Sequence, residues 1–255
     1  MQPIGWVRSV ADTQRSGPLE IMSSIESNLQ AVRARIAAAA KAAGRDADRV
    51  ALLAVSKSFA AERVRAAYAA GQRQFGENYV QEAMEKIAAL PALPLVWHFI
   101  GPIQSNKTRS IAENFAWVHS VARTKIALRL ADARPAALGP LDICLQVNLS
   151  GETTKSGVTA EELRPLAQAV RALPRLRLRG LMTVPEPGDD NGLQRRRFAG
   201  LRTLFEQLNA EGFGLDTLSM GMSQDLEAAV MEGATIVRIG TAIFGQRKTS
   251  EAIVA

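Results

Sequence analysis

The chain has 255 residues, 47% of them hydrophobic, and Lys and Arg outnumber Asp and Glu by 31 to 25 for a formal net charge of +6. That length allows one large domain or two small ones with a sizeable core, and the chain lacks both the roughly 18 to 20 consecutive apolar residues of a membrane span and an N-terminal signal-peptide core, so the expected location is the cytoplasm and no membrane partner is expected. A single cysteine, Cys144, excludes an internal disulfide and a cysteine-based zinc site, and arginines scattered singly rather than gathered into a stripe argue against nucleic acid as a partner.

Residues 1–21 carry Gly, Pro, Ser and Gln with no period and read as a flexible leader before a natural start near Met22. From there Met22, Ile25, Leu29, Val32 and Ile36 recur at helical spacing, Ser23 with Glu26 forms a capping-box pattern, and Gly44 is placed to close the helix. Eight short apolar runs follow, at 51–56, 73–76, 95–100, 116–121, 141–149, 176–184, 215–219 and 235–239, and each but the last precedes a helical segment. Val80, Ala83, Met84 and Ile87 make one apolar stripe. Leu163, Leu166, Ala167 and Val170 make another behind a Thr159 to Glu162 capping box, and Leu201, Leu204, Phe205 and Leu208 a third. The basic cluster Arg195-Arg196-Arg197 reads as a solvated helix face, because no aromatic residues interleave to stack on bases. Strand and helix alternating eight times implies parallel pairing, and eight such units close into a (β/α)8 TIM barrel with an extra N-terminal helix, one α/β domain over residues 22–255.

In such a barrel, functional residues lie just after the strands, with a phosphate site in the loops after the seventh and eighth. Lys57 ends the first run, where burial would lower its amine's pKa and make it a nucleophile for an aldehyde; the other reading is a strand-end lysine that snorkels into solvent. Gly76-Glu77-Asn78 follows the second run, and His98 with residues 101–106 closes the third. Ser219-Met220-Gly221-Met222-Ser223 and Gly240-Thr241 follow the last two, and hydroxyls, glycines and backbone N–H groups there suit an anion. Two such loops facing a strand-one lysine point to a phosphorylated aldehyde. Arg238, inside the apolar run Thr235-Ile236-Val237-Arg238-Ile239, needs a partner: a structural ion pair, or the pyridine nitrogen of pyridoxal phosphate, which a permanently protonated guanidinium would keep unprotonated. His119 reads as a satisfied core residue.

The segments Leu53-Ala54-Val55-Ser56-Lys57, Gly76-Glu77-Asn78-Tyr79, Trp97-His98-Phe99-Ile100-Gly101, Gly180-Leu181-Met182-Thr183, Ser219-Met220-Gly221-Met222-Ser223 and Arg238-Ile239-Gly240-Thr241 closely resemble the pyridoxal phosphate homeostasis protein family, and the likeness runs from about Met22 to Gln246. The resemblance implies a barrel similar to the N-terminal domain of alanine racemase that binds pyridoxal 5'-phosphate through a Schiff base on Lys57. Arg238 would face the pyridine nitrogen, Ser219, Ser223, Gly240 and Thr241 would hold the phosphate, and Asn78 and His98 would line the ring's surroundings. Two departures are visible: the leader, and Ser58-Phe59 where Thr-Lys-Pro or similar is common, which bears on the mouth of the pocket.

A racemase of this architecture needs a second acid/base group, supplied in alanine racemase by a tyrosine supported by an additional β-domain. This chain ends soon after its eighth run, and its tyrosines are only Tyr68 and Tyr79. The expectation is therefore a carrier that buffers pyridoxal phosphate or hands it to pyridoxal-phosphate-dependent apoenzymes, as monomer or dimer, without robust catalysis. The alternative is a weak amino-acid racemase or another pyridoxal-phosphate enzyme. Lys155, after the fifth run, is a candidate second landing site or a solvated loop lysine.

Overall fold

The computed structural model describes residues 18–149, 156–186, 188 and 190–246, with side chains from Met22 onward. Its eight strands are β1 (Ala51–Val55), β2 (Gln74–Glu77), β3 (Val96–Phe99), β4 (Trp117–Val121), β5 (Leu141–Gln146), β6 (Leu176–Met182), β7 (Thr217–Ser219) and β8 (Ile236–Ile239). They pair in parallel in chain order and close, Ala51 to Ala54 of β1 matching Ile236 to Ile239 of β8. This is the expected (β/α)8 barrel. The six residues of β5 are all buried; its centre is apolar, and the polar Asp142 near its start is paired with Arg177 and Arg179.

The helices are α1 (Pro18–Ala42), α2 (Ala61–Ala69), α3 (Val80–Ala89), α4 (Thr108–Asn114), α5 (Thr124–Ala133), α6 (Ala160–Arg171), α7 (Asn191–Ala210), α8 (Leu226–Met231) and α9 (Thr241–Phe244). The Thr159–Glu162 capping box stands at the start of α6, with both of its hydrogen bonds made. At α1 the expectation shifts: the helix begins at Pro18, so Ser23 lies inside it rather than at its cap, and Gly44 follows its end at φ 64°. Residues 1–17 of the expected leader lie outside the described residues. The short α9 after the last strand has no counterpart in the sequence reading, because four residues are too few to show a period.

The extra helix α1 packs across α2, α8 and α9 and buries Ile25, Leu29, Val32 and Ile36. Its polar residues tie down the loops that follow β7 and β8. Asn28 donates to the Ile243 carbonyl at 2.9 Å, and Arg35 donates to the Ser223 carbonyl at 3.0 Å while paired with Glu227. From α2, Arg63 reaches the Phe244 carbonyl at 2.7 Å.

Candidate functional site

A cavity of 530 Å³ opens at the C-terminal mouth of the barrel, lined by residues from the loops after β1, β2, β3, β6, β7 and β8. Six of the eight residues expected from the sequence line it: Lys57, Asn78, Ser223, Arg238, Gly240 and Thr241. His98 and Ser219 do not. Both are buried in the barrel interior, at 1% and 0% exposure. The sequence reading puts them with the polar residues at the strand ends, whereas His98 lies within β3 and Ser219 is the last residue of β7, both short of the mouth. Lys155 lies outside the described residues.

On the Lys57 side, the chain turns sharply: the Phe59 amide donates to the Ser56 carbonyl at 3.1 Å, leaving Lys57 and Ser58 at the corner. Ser58 has φ 65°, the only non-glycine described with a positive φ. An ionic cluster sits behind this corner. The buried Lys86 ammonium donates to the Ser56 carbonyl at 2.6 Å, to Glu77 Oε1 at 2.7 Å and to Glu82. Ser56 Oγ donates to the same Glu77 oxygen, and Glu82 accepts the Ser58 amide at 2.6 Å. Burial pushes the Glu77 carboxyl up, and Lys86 opposes that shift. Glu77 Oε2 and Asn78 Oδ1 are buried without a hydrogen-bond partner. This cluster escaped the sequence reading because Lys86 falls between the apolar positions of α3 and looks solvent-facing there.

On the opposite side, Arg238 is 4% exposed and is held by neutral groups. Nη1 donates to the Ser219 carbonyl at 2.6 Å and to Ser219 Oγ at 2.9 Å, and Nη2 to the Thr183 carbonyl at 2.8 Å. Burial lowers its pKa to about 10, and Asp225 only partly offsets that. Beneath it runs a chain of rings: Ser219 Oγ lies 2.7 Å from His119 Nδ1, and His119 Nε2 lies 2.9 Å from His98 Nδ1. Arg238 takes one lone pair of Ser219 Oγ, and with His119 Nδ1 as the acceptor of the hydroxyl proton, His119 Nε2–H donates to His98. The last proton sits on His98 Nε2, which has no partner. Burial pushes His98 down to about 3, and burial, with the positive charge of Arg238 adding to it, holds His119 well below its ordinary value, so both rings are neutral at pH 7. His119 is thus a core residue, as expected, but one that supports the cavity's arginine.

The loops after β7 and β8 are shaped by backbone. Gly221 has φ 94°, and a Cβ there would lie 2.5 Å from Ala229 Cβ; its carbonyl accepts the Arg238 amide at 2.9 Å. Asp225 accepts the Met222 amide and closes the loop onto α8. Val184, Gln194 and Met222 also line the cavity and are not among the expected site residues, and Phe59 lines it too. Phe59, one of the noted departures, packs on Phe244 with ring centroids 5.2 Å apart. The Arg195-Arg196-Arg197 cluster on α7 is less free than expected: Arg195 pairs with Glu232, and Arg197 with Glu186 near the mouth.

The family model described as alanine racemase, N-terminal domain, matches residues 27–248. A protein of Pseudomonas aeruginosa named pyridoxal phosphate homeostasis protein is 63% identical over 226 residues, 89% of this chain and 97% of its own. An Escherichia coli K12 protein of the same name is 50% identical over 240 residues, 90% of this chain and 100% of its own. Among solved structures, PipY of Synechococcus elongatus with pyridoxal phosphate bound matches at TM-score 0.76 and 38% identity, over 87% of this chain and 100% of that one. An alanine racemase from Corynebacterium glutamicum, 16% identical at TM-score 0.68 over 90% of this chain and 63% of its own, shares the barrel fold.

Proposed function

The chain belongs to the pyridoxal phosphate homeostasis protein family, of the alanine racemase N-terminal domain type, and we propose that its barrel domain binds pyridoxal 5'-phosphate in the mouth cavity, as a Schiff base on Lys57, to buffer or deliver it. The observation that carries this reading is Arg238. A guanidinium buried against two carbonyls and a hydroxyl, with no carboxylate in its hydrogen bonds, is an incompletely compensated cation. It calls for an acceptor from the cavity, and a pyridine nitrogen or an anionic ligand meets that need.

The other lining groups fit the same ligand. Lys57 stands at the turn after β1, Asn78 presents an amide whose Oδ1 is unpartnered, and Ser223, Gly240 and Thr241 offer hydroxyls and backbone at the ends of β7 and β8 for a phosphate. The bound cofactor supplies an aldehyde that captures amines and an electron-withdrawing ring. Arg238 cannot donate a proton at neutral pH, so it holds the ring while leaving its nitrogen uncharged. That weakens the ring as an electron sink and favours storage over turnover.

The ionisable groups lining the cavity, among the described residues, are Lys57, Asp225 and Arg238. Asp225 is committed to the Met222 amide, the two histidines lie below the floor, and Tyr79 is 58% exposed outside the lining. A second acid/base group facing Lys57 across a substrate carbon is not among them. Pyridoxal-phosphate-dependent apoenzymes are the recipients we propose.

Borohydride reduction of the loaded protein followed by peptide mass mapping tests the assignment: the label is expected on Lys57, and the Lys57→Ala protein is expected to lose the near-ultraviolet to visible Schiff-base absorbance while staying folded. A label on another lysine would overturn it. Sustained Lys57-dependent racemisation across a panel of amino acids would replace the carrier with an enzyme.

A further inference from the structure

We propose that Glu82 is a positioning residue for Lys57, acting through the backbone of Ser58; the inference rests on the reading of Lys57 as the cofactor lysine. The corner after β1 has the form of a four-residue turn, Ser56 to Phe59, closed by the Phe59 amide to the Ser56 carbonyl. Its third residue, Ser58, sits at φ 65°, where such turns call for glycine because a side chain crowds the backbone. A serine there must be held. Glu82, in the first turn of α3, accepts the Ser58 amide at 2.6 Å, while Lys86 one helical turn later grips the Ser56 carbonyl at 2.6 Å.

Those two groups belong to the two peptide planes that flank Lys57. The Ser56 carbonyl lies in the plane before it and the Ser58 amide in the plane after it, so the pair fixes the direction in which the Lys57 side chain leaves the backbone. Lys86 also bonds Glu77 and Glu82. The clamp is therefore one rigid unit built on β2 and α3, and it holds the β1 turn from outside. Side-chain exposure decides the roles within it: Glu77 at 0% and Lys86 at 5% are structural, whereas Glu82 at 27% can be changed without opening the core.

The test compares Glu82→Ala, Glu82→Gln, Ser58→Val and the double variant Glu82→Ala with Ser58→Gly. Pyridoxal 5'-phosphate titration followed by Schiff-base absorbance reads the site, and hydrogen exchange of the Ser58 amide in the cofactor-free protein reads the turn. Glu82→Ala is expected to weaken binding about tenfold, the scale of one lost charge-assisted hydrogen bond, and to speed exchange at Ser58. Glu82→Gln keeps an accepting oxygen and should stay within about threefold of the parent. Ser58→Val, with Glu82 and Lys86 intact, should weaken binding to a similar degree, because a β-branched residue resists this φ.

The decisive result is rescue. Glycine at 58 needs no holding, so the double variant should recover binding to within about threefold of the parent. Unchanged binding in Glu82→Ala, or no recovery on adding Ser58→Gly, overturns the inference. Borohydride labelling of the parent separates the two levels: a label absent from Lys57 removes the function reading itself, whereas a Lys57 label with an indifferent Glu82 removes only the clamp.

Discussion

The two walls of the cavity solve the same mechanical problem with opposite electrostatics. Behind Lys57, two carboxylates and an ammonium hold a strained turn by ionic hydrogen bonds. Behind Arg238, a hydroxyl, two carbonyls and two neutral rings hold a cation. The difference follows from what each wall must leave available. The Lys57 wall turns its charges on one another and on the turn, Lys86 bonding both carboxylates and the Ser56 carbonyl and Glu82 the Ser58 amide, so they are used up in holding the frame. The Arg238 wall leaves its charge uncompensated, so the cation remains able to attract whatever enters. One wall sets geometry and the other sets affinity.

The sharpest way to break this contrast is to remove the cation that ties the Lys57 wall together. Lys86→Met would leave Glu77, with 0% side-chain exposure, as an isolated buried carboxylate. Removing one partner of a buried pair costs about 3–5 kcal/mol, well beyond the loss of an exposed ion pair. Urea unfolding should show that loss, and replacing Glu77 by Leu in the same protein should recover part of it. If Lys86→Met unfolds at the parent's midpoint, the wall is not held by its charges.

The walls also respond to pH with opposite signs. The neutral histidines have folded pKa values below the ordinary 6.5, about 3 for His98. Below pH 6.5 the unfolded chain therefore takes up protons that the folded chain refuses, and stability falls by about 1.4 kcal/mol per histidine per pH unit until the folded pKa is reached. Glu77 is raised by burial, so its contribution is full below the ordinary carboxyl pKa of 4.5 and is lost as pH rises through the folded value. Between pH 6.5 and 5.5, where the unfolded histidines are only partly titrated at the start, the two together should lower stability by about 2 kcal/mol. Urea midpoints at those pH values check it, and His98→Gln should roughly halve the slope. A flat profile would mean that the rings are solvated.

How much of this was legible in the sequence differs between the walls. The barrel could be read because apolar runs and helical stripes alternate, and all eight strands fall within or one residue beyond the expected runs. The cavity residues could be read because polar groups at the ends of apolar runs mark the barrel's functional face. Pairings at depth could not. Ser219 and His119 meet across 100 residues, and a period of two says that a side chain points inward without saying what it meets. Ser219 accordingly looks like a phosphate ligand in the sequence, whereas its hydroxyl is taken up by Arg238 and His119. Lys86 is hidden for the converse reason: it falls between the apolar positions of α3, and nothing in helical spacing shows that it meets Glu77 of β2.

The smallest expected effect tests whether the arginine wall works as a relay or as separate contacts. Ser219→Ala removes the hydroxyl but keeps the Ser219 and Thr183 carbonyls, which still accept from both terminal nitrogens of Arg238. If the contacts are separate, the loss is that of one ordinary hydrogen bond, about 1 kcal/mol in urea unfolding. The hydroxyl, however, also directs its proton to His119, and without it His119 Nδ1 has lost its donor inside a dry core. A relay then shows itself in the rings: freed from that donor, His119 can move its proton to Nδ1, and the tautomers seen by imidazole nitrogen NMR should change at both His119 and His98. A change at both rings with about 1 kcal/mol lost is the expected outcome. A tautomer change confined to His119 would make Arg238 and His98 independent, and the floor of the cavity a stack of separate contacts.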